Sequence, residues 1–391
     1  MIHDDQTLLS IIIPTLNEAE HLPALLSDIR KQEDISLEII VADGGSSDTT
    51  RLEAEAYGAN FATARRGRGA QMNAAAERAS GDYLLFLHAD SRLDDPCLLI
   101  TAVRALTSEL HKHDRIAGHF CLRFMRTTEL NPMGYRYAEE KSALNRVNTT
   151  NGDQGLLLRK EFFGHLGGFD ESLPFLEDQR LAEKIRSQGK LITLPGYLKT
   201  SARRLETEGF HRRYILMSMM MGLHNVGVEE FFARAPGVYQ LQQDTGKLLL
   251  SPFFYLIRRM MRDEWGIRKS IHIFNLLGRY IRQNSWQLFF FFDVWLRRPL
   301  GDGRYPFSCF HDRIVARWIN LKVFDAVTGV ICFIWFMGIL APFFFFKDAG
   351  RVKLRRLCGS ELNSDPHSRF ITLQHTAKKT PRKAGSNLTP R

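Results

Sequence analysis

The chain has 391 residues, 44% hydrophobic and 25% charged, enough for two or three domains with real cores. Its five cysteines, Cys97, Cys121, Cys309, Cys332 and Cys358, are scattered, which excludes a disulfide framework or a zinc-type spacing and favours a reducing compartment. The net charge of +10 is uneven, because residues 347–391 hold 11 basic and 3 acidic residues and leave the first 346 near neutral. With neither a nucleic-acid-binding motif nor a basic face ahead of that tail, no nucleic-acid partner is expected.

Met1 to Gln6 are polar, and the apolar run from Leu8 ends at Pro14, too short for a secretory core, so the N-terminal domain is expected to face the cytoplasm. Leu9 to Ile13, Leu37 to Ala42 and Tyr83 to Leu87 are continuous apolar runs of the kind that central parallel strands need, since both their faces are covered. Between the first two, Leu22, Leu25, Leu26 and Ile29 recur at helical spacing. Ser47 and Asp48 are placed to cap a helix running toward Gly58, and Gly69 to Ala79 supplies an alanine-rich one. This alternation predicts an α/β domain.

Open α/β sheets bind ligands beyond the carboxyl ends of their strands. There the first strand delivers Pro14, Thr15, Asn17 and Glu18, the second delivers Asp43 to Asp48, and the third delivers His88, Ala89 and Asp90. Short hydroxyl and amide groups suit a nucleoside, glycines let backbone approach it, and a carboxylate can hold a divalent cation against a diphosphate. Taken singly, DGGSSD also reads as a turn with a helix cap, and HAD as hydrogen-bonding turn residues. GxGxxG after the first strand and GxxxxGK followed by Ser or Thr are both missing, so dinucleotide oxidoreductase and P-loop readings lose support.

In order, SIIIPTLNEAEHL at 10 to 22, EIIVADGGSSD at 38 to 48, GDYLLFLHADS at 81 to 91 and GGFDESLPFLEDQRLAEKIRSQG at 167 to 189 resemble the inverting family 2 glycosyltransferases of GT-A fold. The resemblance spans about the first 200 residues. It is nearest to a bacterial branch with HAD in place of DxD and a TSARR stretch, here Thr200 to Arg204. It implies an enzyme that takes a nucleotide-diphosphate sugar donor. Pro14, Thr15, Asn17, Glu18, Asp43, Arg68, Gln71, Asn73, His88 and Asp90 would bind the donor, with Asp43 on the nucleobase edge. Asp90 would carry the metal, Mn2+ or Mg2+, while His88 replaces the first carboxylate of DxD and brings no negative charge.

By the same resemblance the ED pair supplies the base: Asp178 takes the acceptor proton and Glu177 supports the acceptor, both opening a helix that runs to about Ser187. Arg203 and Arg204 are candidate diphosphate or acceptor contacts, and Asp153 and Gln154 candidate sugar or acceptor contacts. The reading from another class is a catalytically impaired nucleotide-sugar-binding membrane scaffold, suggested by the missing DxD carboxylate.

These motifs predict a GT-A domain over 1–210. Residues 211–325 read as a helical, interfacial extension, since Leu248 to Ile257 and Leu288 to Leu296 are too short to span and are separated by arginines. Met217 to Met221 reads as packing. Residues 326–346 carry no charge and are long enough to cross a bilayer, though Pro342 favours a bent or re-entrant segment. Residues 347–391 read as a flexible basic tail suited to an anionic membrane surface. The expected location is the inner or plasma membrane, with the catalytic domain toward the cytoplasm. The acceptor would then be polyprenyl phosphate, another lipid or a membrane-linked glycan.

Overall fold

The computed structural model describes residues 8–111, 113–240, 247–296 and 305–349; the basic tail expected at Lys378, Lys379, Arg382 and Lys383 lies outside the described residues. The chain begins as expected for alternating strand and helix: β1 (Leu8–Thr15), α1 (Leu22–Arg30), β2 (Ser36–Asp43), α2 (Thr50–Ala56), β3 (Asn60–Thr63), α3 (Arg68–Arg78) and β4 (Tyr83–Phe86). Then follow β5 (Ser91–Arg92), α4 (Leu98–Leu110), β6 (Ile116–Met125), α5 (Pro132–Ser142), β7 (Leu156–Arg159), α6 (Lys160–His165), α7 (Glu177–Gln188) and β8 (Lys190–Ser201). The eight strands form one mixed sheet in the order β3-β2-β1-β4-β7-β6-β8-β5.

The strand runs are continuously apolar because alternate residues feed two cores. Ile11, Ile13, Val41 and Leu85 pack with α1 and α4, while Ile12, Ile40, Leu84 and Phe86 pack with α3, α6 and α7. Burying each such side chain contributes roughly 1.5–3 kcal/mol, so a polar residue enters either face only with a hydrogen-bond partner, as Ser10 does with Glu38. β1 pairs in parallel with both β2 and β4, bringing the ends at Thr15, Asp43 and Phe86 to one edge. β7 runs antiparallel to β4, with Leu156 opposite Phe86, so the turn before β7 enters that same edge.

Ahead of α2 the N-cap position is Thr49, which makes no side-chain cap bond; Asp48, one residue earlier, tightens the turn by accepting from Thr50 N at 3.0 Å. Ser47 instead turns toward β1, its N–H donating to Asn17 Oδ1 at 2.8 Å.

Beyond β8 the described chain is helical: α8 (Arg203–Glu208), α9 (Phe210–Asn225), α10 (Glu229–Gln240), α11 (Ser251–Met260), α12 (Gly266–Gln283), α13 (Trp286–Leu296), α14 (Pro306–Phe310), α15 (Ala316–Ile319), α16 (Val323–Phe333) and α17 (Ala341–Ala349). Met219 and Met220 pack with Phe231, Phe253 and Phe254 in a third core. The chain does not reverse at Pro342: α16, a π-helical segment Ile334–Leu340 and α17 make one helix from Val323 to Ala349. Proline removes an N–H and crowds the carbonyl four residues back, and the wider π spacing immediately before it absorbs that conflict without a reversal. The helix is long and apolar enough to cross a membrane, which by itself is weak evidence of membrane association.

Candidate active site

The loops after β1 and β2 are laced together. Asn17 takes φ +56°, an αL geometry that asparagine tolerates, and its N–H donates to Ser46 Oγ at 2.8 Å. Asp43 is buried and accepts from Gly45 N (2.9 Å), Ser46 N (2.8 Å), Ser46 Oγ (2.5 Å) and Thr15 Oγ1 (3.1 Å). Burial opposes its charge, but the Ser46 hydroxyl and amide and the other donors outweigh that and hold its carboxyl below the usual range. With its lone-pair positions filled, Asp43 orders the loop, and a nucleobase contact requires the Ser46 hydroxyl to turn away.

Three expected contact residues are spent on structure. Gln71 is buried, its Nε2 donating to Thr15 O (2.7 Å) and Ala42 O (2.8 Å), so it spaces β1 from β2 and does not face the cleft. Asn73 holds the loop before α7, donating to Phe169 O and Glu171 Oε1, each at 3.0 Å, and accepting from Phe169 N at 2.9 Å. Gln154 is fully buried, donating to Ser142 O (2.8 Å) and lying 2.9 Å from His119 Nδ1. The expectation that Gln154 meets sugar or acceptor is corrected by its direction: the turn Gly152–Gln154 sends it inward and leaves Asp153 at the cleft.

The chemistry gathers where that turn meets β4 and α7. His88 Nδ1 lies 2.8 Å from Asp153 Oδ1. Burial works against charge on both, yet their mutual hydrogen bond and attraction raise the His88 proton affinity and hold the Asp153 carboxyl at about 2. Leu176, at φ +64°, makes the sharp turn that opens α7 and presents Glu177 and Asp178. Glu177 is 3% exposed and pairs with Arg68 Nε at 2.7 Å. Burial, reinforced by the Asp178 charge, raises its carboxyl against the pull of Arg68. Asp178 accepts from Gly152 N at 2.5 Å and Gln179 N at 2.8 Å, which leaves lone pairs on both oxygens.

Gly152, not singled out as a site residue by the sequence, sits between the two. A Cβ there would come within 2.9 Å of His88 Nε2 and 3.3 Å of Asp178 Oδ2, so only glycine allows this approach. His88, Asn151, Gly152, Glu177 and Asp178 line one pocket with Phe86 and Phe169. A larger hollow, bounded by Leu110, Arg115, Arg159 and His165, lies at the other end of the β4–β7 pair, away from these groups.

On the outer side, Glu18 buries Oε2 without a hydrogen-bond partner, and its carboxyl is raised by burial, with Asp90 adding to the shift against Arg203. Arg203 contacts His21 and lies 4.0 Å from Glu18 Oε2; Arg204 is exposed, and its charge acts on Asp153. Pro14 closes β1 beside Thr15 and pairs with Ala42. Among the described residues no three His, Cys, Asp or Glu side chains converge as a metal site. Asp90 with the orphaned Glu18 oxygen beside it fits a hard cation that arrives with phosphate oxygens, the mode in which magnesium needs only one or two carboxylates. His88 Nδ1 is committed to Asp153, so the HAD histidine adds no anionic ligand there.

A model of the family described as glycosyl transferase family 2 matches residues 10–163. A PGL/p-HBAD biosynthesis glycosyltransferase from Mycobacterium bovis is 30% identical over 193 residues, covering 48% of this chain and 72% of the relative. An uncharacterized glycosyltransferase of Haemophilus influenzae is 25% identical over 183 residues, 44% of this chain and 59% of its own. A solved mannosyltransferase from Pyrobaculum calidifontis, in complex with GDP-Man and Mn2+, aligns over 84% of this chain and 87% of its own at a TM-score of 0.44 and 18% identity.

Proposed function

Because this chain belongs to glycosyl transferase family 2, with the mixed sheet of a GT-A fold, we propose that it moves a sugar, with inversion, from a nucleotide-diphosphate sugar to a membrane-associated acceptor. The observation that carries the reading is Asp178 at the head of α7, held by Gly152 N, in the pocket that His88 and Glu177 also line.

The donor would enter over the laced β1 and β2 loops, with Pro14, Thr15, Asn17 and Glu18 shaping the nucleoside pocket through the Ser46–Ser47 turn. Asp178 takes the acceptor hydroxyl proton as that oxygen attacks the anomeric carbon from the side opposite the diphosphate. Glu177 and Arg68 fasten α7 to α3, which fixes where the base stands. Arg203, near Glu18, and Arg204, whose charge acts on Asp153, would meet charge that develops on the leaving diphosphate. A divalent cation held by Asp90, with Glu18 beside it, would supply further neutralisation of that leaving group.

A lipid acceptor, polyprenyl phosphate among the candidates, follows from the exposed apolar helix Val323 to Ala349 in the same chain. Detergent-purified protein incubated with a panel of nucleotide sugars, Mn2+ or Mg2+ and membrane lipids should yield a new glycosylated lipid by mass spectrometry. Unchanged donors and lipids across the panel, in a preparation that still binds nucleotide, would refute the lipid acceptor; the same outcome with membrane-linked glycans added would refute transfer in favour of the impaired nucleotide-sugar-binding scaffold.

A further inference from the structure

The helix from Val323 to Ala349 is about 40 Å long at 1.5 Å per residue, and its length and composition alone suit a membrane span. The way it is held speaks against that. Near its start Asp325 is paired with Arg279 and Arg282 of α12, the latter 6% exposed. Near its end Asp348 is fully buried, accepting from Arg212 Nη1 at 2.7 Å and from Leu250 N and Ser251 N at 3.1 Å each, the first amides of α11. Between the two ends Gly329 lies so close to Gly278 that a Cβ on Gly278 would strike its backbone. Phe333 meets Phe274 at 5.0 Å, and Phe344 stacks on Phe254 at 6.1 Å. Residues 282, 278 and 274 meet 325, 329 and 333, whereas 254 and 251 meet 344 and 348, so in the track from α11 to α12, α12 lies antiparallel to the first half of the helix and α11 to the second, with the stretch between them broken at Gly266, φ +62°.

That track cannot accompany it through hydrocarbon. Its middle exposes Arg258, Arg262, Asp263, Glu264, Arg268 and Lys269. The stretch joins Phe254 and Phe274, which meet Phe336 and Phe333 at the middle of the apolar helix, so a crossing would carry it to bilayer depth, where each charged side chain opposes insertion. Laid flat, the same pair of helices separates its chemistry: Val327, Ile331, Ile334, Trp335, Ile339 and Phe343 are all at least 48% exposed on the apolar helix, and the basic residues of the track remain at headgroup level. Trp295 and Trp318, 58% and 70% exposed, extend the apolar surface onto α13 and α15.

We propose that Val323 to Ala349 is a monotopic anchor, pinned at both ends to the helical extension and lying in the plane of one leaflet of an anionic bilayer, so that both its ends stay on the side of the catalytic domain. The inference rests on the membrane part of the functional reading and is independent of donor and acceptor.

Full-length protein carrying one epitope before Met1 and another after Arg391 is expressed in a bacterial host, and its membranes are prepared as sealed inverted vesicles and as spheroplasts. Protease should remove both epitopes from inverted vesicles and neither from spheroplasts. Epitopes on opposite sides, or a chain that stays soluble when membranes are sedimented, would overturn the proposal. In vesicles of phosphatidylcholine and phosphatidylglycerol, the fluorescence lost in Trp335→Phe reports depth. Stronger quenching by lipids brominated near the headgroup supports the in-plane helix, and stronger quenching by lipids brominated near the chain end defeats it. Transfer assayed in the same membranes reads the functional proposal separately, since a silent assay leaves the epitope pattern unchanged.

Discussion

His88 Nδ1 and Asp153 Oδ1 stand 2.8 Å apart, joining the turn after β4 to the turn before β7 across 65 residues of sequence. The pair sets an imidazole against a carboxylate at the end of β4, and Asp153 is the group that raises the His88 proton affinity against burial. Asp153→Asn should therefore lower the pH at which His88 titrates. Histidine ring signals in nuclear magnetic resonance check this, with His88→Asn identifying the resonance; an unmoved titration would mean that Asp153 does not control the proton.

Asp178→Asn keeps an oxygen for one of the two backbone N–H donors, loses the acceptor for the other and removes the basicity. Turnover should fall by at least about 100-fold, the usual scale of general base catalysis, while the affinity for nucleotide diphosphate changes little. Steady-state transfer and calorimetric nucleotide binding, measured on the same preparation, separate the two effects. Wild-type turnover in the Asn variant would remove Asp178 from the mechanism.

Gly152→Ala introduces a methyl group between His88 and Asp178. Displacing a base by a fraction of an ångström to 1 Å can cost on the order of 100-fold in rate, whereas the exposed rim of the pocket can relax. The expected signature is a large loss of kcat with a melting temperature within a few degrees of wild type. Equal activity would show that the Gly152–Asp178 contact is dispensable.

His119 is fully buried on β6 beside Gln154, and burial pushes its imidazole down to about 4. Its neutral form is the one the fold accommodates, whereas the unfolded chain takes up a proton near 6.5. Stability is thus fully present above about pH 6.5 and declines as pH falls toward 4, by about 3 kcal/mol in total. Denaturant unfolding of the detergent-solubilised protein between pH 7 and 4 should show this slope, and His119→Phe should flatten it. An identical slope in the variant would assign the acid sensitivity to other groups.

The strands were readable because burial on both faces leaves a local record: Leu9 to Ile13 is apolar at every position but Ser10, which is itself buried and donates to Glu38 Oε2 at 2.5 Å. The start of α7 at Glu177 and the placing of polar clusters at strand ends were readable for the same reason. Side-chain direction was not. Gln71 and Asn73 lie two apart on α3, and the first bridges Thr15 and Ala42 while the second holds Phe169 nearly 100 residues later. Nothing in the helix announces which amides the backbone will consume, because the choice depends on what packs opposite. Pro342 marks a conflict in the helix, but whether the chain reverses there or only widens is decided by the packing on either side.

By itself the sequence determined the alternation of strand and helix, the polar clusters of the strand ends and the ordered motifs that mark the family, since periodicity and turn chemistry act over a few residues. Tertiary structure alone decided that Gly152 holds Asp178, that Asp153 faces His88 while Gln154 turns inward, and that Asp325 and Asp348 tie the apolar helix along α11 and α12. Those partners lie between 12 and 97 residues apart, and a hydrogen bond or ion pair of such reach exists only once the intervening chain has packed.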